Sequence, residues 1–177
     1  MTLYQKKYRI ESARYYGWDY RARGWYFVTI CSHLKAHSFG EVVSGEMRLS
    51  QIGLIAETEL HSLSSHYRNV EVNAHVVMPN HIHAIIMIEG AHTFSPHPEF
   101  LPQAIGISPT AGSLAAIVRS YKAGVTRQCR KLLLTEPIWQ SRFYDKILRT
   151  DAIISAVREY IRNNPANWFE NSEMNSL

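Results

Sequence analysis

Cysteine is nearly missing from this chain. Cys31 and Cys129 are the only two in 177 residues, and they form no Cys-x-x-Cys pair. A disulfide scaffold and a zinc-thiolate centre are thereby excluded, and a reducing cytoplasm is the expected location. Long apolar runs are absent too. The longest near the centre, Ala84 to Ile88, falls far short of the roughly 20 residues a helical membrane span needs. The first residues are basic and aromatic rather than an apolar signal core, so no export is expected. Glycine and proline are few, 9 and 7, and the chain shows no internal repeat or low-complexity tract. With 46% hydrophobic and 19% charged residues, neither a disordered chain nor a coiled coil fits. A single domain remains, long enough to bury about two-thirds of its unfolded surface.

The net charge of +4 is unevenly spread. Residues 1–23 carry a net +4, residues 24–112 a net −4, residues 113–168 a net +6 and residues 169–177 a net −2. Two basic segments flanking an acidic middle suit either a polyanion meeting two surfaces or ordinary solvated helix faces. The first segment also holds Tyr4, Tyr8, Tyr15, Tyr16, Trp18 and Tyr20 among Lys6, Lys7, Arg9, Arg14, Arg21 and Arg23. Rings stack on bases while Lys and Arg meet phosphates, so this composition suits unpaired nucleic acid. Rings also anchor terminal segments onto a core. The candidate nucleic-acid contacts are Lys6, Lys7, Arg9, Arg14, Tyr15 and Trp18 here, with Arg119, Lys122 and Arg142 in the second basic segment.

Hydrophobic periodicity orders the rest. Trp25 to Cys31, after Gly24, is aromatic and β-branched and predicts a strand. Phe39 to Leu49 predicts a hairpin turning at Ser44-Gly45. Residues 51–66 repeat at helical spacing. Val70 to Met78 and His81 to Ile88 read as strands broken by Pro79-Asn80. Residues 89–112 gather Gly90, Pro96, Pro98, Pro102, Gly106, Pro109 and Gly112, a loop unusually long for a compact domain. Ser113 can cap a helix to about Leu133, with Tyr121 in its apolar stripe. Phe143 to Leu148 predicts a fourth strand, and Thr150 or Asp151 caps a helix ending at Asn164, before Pro165. The order is that of an α+β domain: an antiparallel sheet with helices packed on it. Residues 1–23 are expected to form an arm, 24–168 the domain and 169–177 a tail.

Two patterns carry chemistry. In Met78-Pro79-Asn80-His81-Ile82-His83, residues i and i+2 of a strand share a face, so His81 and His83 can offer two imidazoles to one metal. Ile82, with Ile86 in phase, then faces the core. Paired histidines on a strand also serve as simple hydrogen-bonding groups, and two imidazoles do not choose an ion. In the last helix Ile153, Val157, Tyr160 and Asn164 recur at i, i+4, i+7 and i+11, which turns the Tyr160 phenol and the Asn164 amide toward the sheet. An ordinary core tyrosine near a helix end fits the same spacing. His75, on the preceding strand, is a further candidate imidazole. His61 and His66 share no helix face and read as surface residues, and His92 and His97 fall in the long loop.

Four blocks stand in a fixed order: Trp-Tyr-Phe-Val-Thr-Ile-Cys at 25–31, Met-Pro-Asn-His-Ile-His at 78–83, Ile-Trp-Gln-Ser-Arg-Phe-Tyr-Asp at 138–145 and Glu-Tyr-Ile-Arg-Asn-Asn-Pro at 159–165. Together they resemble the REP-associated tyrosine transposases, within the insertion-sequence-200-like group of HUH single-strand nucleases, over residues 8–168. The resemblance implies a ferredoxin-like sheet of the kind also found in RNA-recognition modules. It implies His81 and His83 as metal ligands and Tyr160 as nucleophile. Asn164 falls where related transposases carry a glutamine ligand and is one methylene shorter. Magnesium or manganese is the implied ion, with single-stranded DNA and hairpins of REP-like repeats as partners. The arm resembles the segment that recognises DNA beside a hairpin. Family members act as monomers or as homodimers that exchange the tyrosine helix. Two other classes remain open on the residues alone: a non-enzymatic, RRM-like nucleic-acid-binding module, and a metal-dependent hydrolase that activates water.

Overall fold

The computed structural model describes residues 3–4, 8–9, 18–90 and 109–168. Lys6, Lys7, Arg14, Tyr15, most of the proline-rich loop and the tail lie outside the described residues. So do His92 and His97. In the arm, β1 (Leu3–Tyr4) pairs antiparallel with β2 (Tyr8–Arg9). Residues 18–23 lie against the domain through the partly buried Trp18 and Tyr20.

The domain is built from β3 (Gly24–Cys31), the hairpin strands β4 (Gly40–Val43) and β5 (Glu46–Leu49), α1 (Gln51–His61) and α2 (Leu63–His66). There follow β6 (Val70–Met78), β7 (His81–Ile88), α3 (Leu114–Lys131), β8 (Tyr144–Leu148) and α4 (Asp151–Asn163). Four strands form one sheet in the order β6-β7-β3-β8, every neighbouring pair antiparallel. This is the ferredoxin-like β-α-β-β-α-β order, an α+β domain as expected.

Local chemistry explains the boundaries. Ser50, Ser113 and Thr150 accept from the backbone N–H groups of Gly53, Ala116 and Ile153, capping α1, α3 and α4. Ser44 (φ 52°) and Gly45 (φ 80°) take the two left-handed positions that a two-residue hairpin turn demands. The helix expected over 51–66 breaks at Ser62, where Leu63 turns inward and starts α2.

Alternation along β3 and β7 separates two cores. Tyr26, Val28, Ile30, Ile82, Ala84, Ile86 and Ile88 are buried with Ala56 and Leu60 of α1 and Ile117, Val118, Tyr121 and Val125 of α3. On the opposite face Ile85 and Leu148 are buried with Ile154 and Ile161 of α4, supported by Trp25, Phe27, Ala74, Val76 and Val157. The sheet is therefore covered on both faces. Among the described residues, no helix is long and apolar enough to cross a membrane.

Gly53 marks the closest approach of α1 to the hairpin, since a Cβ there would meet the carbonyl of Phe39 and the side chain of Leu49. In an open helix Gly→Ala gains up to about 1 kcal/mol. Here Gly53→Ala is expected to lower stability by about 1–3 kcal/mol, the usual cost of overpacking. A urea midpoint at or above that of the unsubstituted chain would refute the contact.

Candidate functional site on the face covered by α4

Since Ile82, Ala84, Ile86 and Ile88 face α1 and α3, the odd-numbered residues of β7 must face α4. His81 and His83 accordingly lie side by side, ring centroids 4.4 Å apart. Each imidazole is held through Nδ1. His81 Nδ1 lies 2.7 Å from Asn80 Oδ1, an oxygen that can only accept, so Nδ1 carries the proton and Nε2 the lone pair. His83 Nδ1 lies 2.9 Å from the hydroxyl of Thr29, its cross-strand partner on β3.

The turn carrying Asn80 is fixed in turn. Ser32 donates its N–H and its hydroxyl to the Asn80 carbonyl, at 2.9 and 3.0 Å, and Phe39 N–H donates to the Pro79 carbonyl.

α4 closes the site. Its buried stripe is Ile154, Val157, Ile161 and Asn164, and Ile153 is exposed, so the packing face is rotated from the expected row. Three apolar side chains spaced i, i+3 and i+7 decide that rotation. Tyr160 consequently stands at the rim of the stripe, 46% exposed, with its ring edge-on to Phe27 and its hydroxyl 3.3 Å from His83 Nε2. Arg158 fixes the register of α4 on the sheet: its Nε donates to Asn73 Oδ1 at 2.7 Å and its guanidinium lies over Trp25. Past the helix end, Trp168 lies 6.0 Å from the His81 ring, and Asn164, 2% exposed, falls between Tyr160 and Trp168 in the chain.

Among the described residues, two buried polar atoms lack a hydrogen-bond partner, His81 Nε2 and Asn164 Nδ2. Buried polar groups are normally satisfied, and the unpaired His81 Nε2 is a lone pair that a cation could take, whereas Asn164 Nδ2 is an N–H donor and could not. Burial pushes His81 down to about 4, with Lys35 adding to the effect. Burial and the neighbouring His81 push His83 to about 3, against a hydrogen bond to the Val28 backbone that favours the protonated ring. Both imidazoles are neutral at pH 7 and need lose no proton to bind a cation. Two neutral imidazoles side by side are donors that would suit a divalent ion, and magnesium or manganese would need oxygen ligands to complete its shell.

The other expected residues fall elsewhere. Tyr121 is buried and donates to the Ala56 carbonyl at 2.9 Å, a core residue as its stripe predicts. Trp18 donates Nε1 to the Tyr26 hydroxyl at 3.1 Å and carries Arg149 over its ring. Arg9 is described only in its β2 pairing. Arg119 and Arg142 are exposed on α3 and before β8. Lys122 donates to the carbonyls of Gln140 (2.7 Å) and Arg142 (3.0 Å), and burial pushes it down to about 8. The pattern did not single out Thr29 or Trp168, because their role arises from cross-strand register and from the chain's turn after α4. Asn80 stood beside His81 in the quoted block, and its adjacency was the available signal.

Compared with known proteins, the chain is 36% identical over 163 residues to an uncharacterised protein of Haemophilus influenzae, covering 89% of this chain and 88% of that one. No family model matches it. Its fold is similar to that of a REP-associated tyrosine transposase solved bound to a REP hairpin, with a TM-score of 0.57 at 19% identity, over 87% of this chain and 73% of that one.

Because Lys122 satisfies two carbonyls, Lys122→Ala is expected to cost about 1–3 kcal/mol of stability. A residue engaged only with phosphate would leave the denaturation midpoint unchanged, and chemical denaturation of the DNA-free chain distinguishes the two.

Proposed function

We propose that this chain, which belongs to one family with the uncharacterised Haemophilus influenzae protein, is a transposase-type enzyme that cleaves and rejoins single-stranded DNA beside hairpins. The reading is carried by one juxtaposition: the Tyr160 hydroxyl lies 3.3 Å from Nε2 of His83, beside a second imidazole whose Nε2 has no partner. Likeness in fold to a transposase bound to a REP hairpin supports this substrate class.

His81, His83 and the Asn164 amide oxygen are the proposed holders of a magnesium or manganese ion. Such an ion, when bound, polarises the scissile phosphate and stabilises its developing charge. Thr29 and Asn80 hold the two rings at Nδ1, which would leave each Nε2 for such an ion. Tyr160 supplies the nucleophile. Its oxygen forms a bond to phosphorus, the bond from phosphorus to the 3′-oxygen breaks, and the phenol proton is carried, net, to the released 3′-OH. The 5′-phosphotyrosine conserves the bond energy, so another 3′-OH can reverse the step without ATP. An unpaired strand is required, because the phosphate must reach the histidines on the sheet face under α4. Tyr160 and His83 meet within one chain, which supports a monomer acting on its own DNA strand.

α4 also bears on the alternatives. RNA-recognition modules stack bases on an open sheet face. Here α4 covers the face opposite α1 and α3, which weighs against binding in that manner.

Tyr160→Phe removes one oxygen at a half-exposed rim position, so folding and hairpin binding are expected to survive. The covalent protein–DNA adduct and strand cleavage are both expected to vanish, while Tyr121→Phe keeps them. A labelled single-stranded hairpin, incubated with metal and run on a denaturing gel, reads both outcomes. Cleavage by Tyr160→Phe, with no adduct from the parent chain, would favour the water-using hydrolase.

His81→Ala, His83→Ala and EDTA treatment are each expected to abolish cleavage while the melting temperature of the variants stays within a few degrees of the parent. Undiminished cleavage in all three would overturn the metal assignment.

A further inference from the structure

On the other face of the sheet, α1 and the edge strand β6 bring Glu57, His61 and His75 together. Among the described residues, these form the group of three histidine or acidic side chains whose ligand atoms all lie within 4.8 Å of one another. Glu57 and His61 are four apart and share one side of α1. His75 reaches them through a backbone irregularity. Val72 pairs with Ile86 and Ala74 with Ile85, so Asn73 is an extra residue, a β-bulge. Without it the two-residue alternation would turn His75 to the face of His81 and His83. The bulge re-aims it toward α1.

The three side chains do not satisfy one another. Glu57 Oε1 and His75 Nε2 are 3.8 Å apart, too long for a hydrogen bond, and the two imidazoles meet edge to face at 4.7 Å. His75 is largely buried, and burial, with His61 beside it, holds its imidazole below the usual range despite the pull of Glu57. His61 is exposed and the Glu57 side chain is 40% exposed, which leaves an entry path and freedom to draw inward. Ligands about 2.0–2.1 Å from a tetrahedral ion stand about 3.4 Å apart, a closure that rotation of these two side chains can supply.

We propose that Glu57, His61 and His75 form a second cation site, one that takes a single zinc-class transition ion. Two imidazoles and one carboxylate suit zinc, with positions left for water, and favour it over magnesium. The ion ties α1 to β6 two residues from the bulge, where Asn73 holds Arg158 of the tyrosine-bearing helix. This inference uses none of the residues assigned to DNA cleavage and does not rest on that assignment.

Equilibrium dialysis of the full chain against zinc, with bound metal counted, tests it in a His81→Ala/His83→Ala background that removes the other imidazole pair. That background is expected to bind one zinc and to melt at a higher temperature with zinc than without. Adding His61→Ala or Glu57→Gln is expected to weaken binding by more than about tenfold and to abolish the thermal shift. Both positions are solvent-accessible, so the zinc-free melting temperature should hardly move; His75→Gln is the third arm. Zinc uptake unchanged by all three substitutions would overturn the site, as would no uptake at micromolar zinc in the background.

Discussion

The two-residue period of β7 is the constraint on which the rest of this structure depends. Ile82, Ala84, Ile86 and Ile88 are all buried against α1 and α3, so a one-residue slip would turn this apolar row out of the main core and put His81 and His83 into it. The pairing cannot slide, and the intervening His81 and His83 are committed to the face under α4. Their neighbours follow from the same register. Thr29 lies opposite His83 because Val28 and Ile30 are needed in the main core. Apolar burial thus aims two polar rings, and local hydrogen bonds to Asn80 and Thr29 select which nitrogen each presents.

α4 depends on far less. Ile154, Val157 and Ile161 give it a narrow apolar stripe, extended by the Arg158 contacts with Asn73 and Trp25. A helix held by one stripe and one polar anchor has few contacts to lose if it shifts on the sheet. Tyr160 stands at the rim of that stripe, which keeps its hydroxyl within reach of His83 while its ring remains half exposed. A tyrosine at the centre of the stripe would have been fixed in the core, as Tyr121 is in α3.

Much of this was legible before the fold was known. Strands with strict alternation, the Ser44-Gly45 turn and the capping Ser113 and Thr150 are decided by contacts within a few residues, and they appear where the pattern predicts them. The side-by-side placement of His81 and His83 follows from the period alone. Long-range features were not legible. The bulge at Asn73 has no local signature, yet it decides that His75 meets Glu57 and His61 rather than the other histidines. The rotation of α4 is set by what it packs on, so Ile153 is exposed although it shares a helical row with Val157. Lys122 reads as one more basic residue until the 140–142 backbone arrives beside it.

His83 is where these constraints meet most tightly. Where the Thr29 hydroxyl accepts from Nδ1, the neutral ring keeps one lone pair, on Nε2, and in this structure the Tyr160 hydroxyl stands 3.3 Å from that nitrogen. One lone pair serves one partner at a time. Any cation that takes Nε2 must displace the phenol from that contact, and the phenol, at the rim of α4, has the freedom to go. His81 differs, since its Nε2 has no partner to give up. The two histidines are therefore unequal despite their shared face: His81 Nε2 is buried with no hydrogen-bond partner among the described residues, whereas His83 Nε2 has the Tyr160 hydroxyl beside it. An ion bound as proposed would thus couple the occupancy of the histidine pair to the position of the Tyr160 hydroxyl through a single atom, Nε2 of His83.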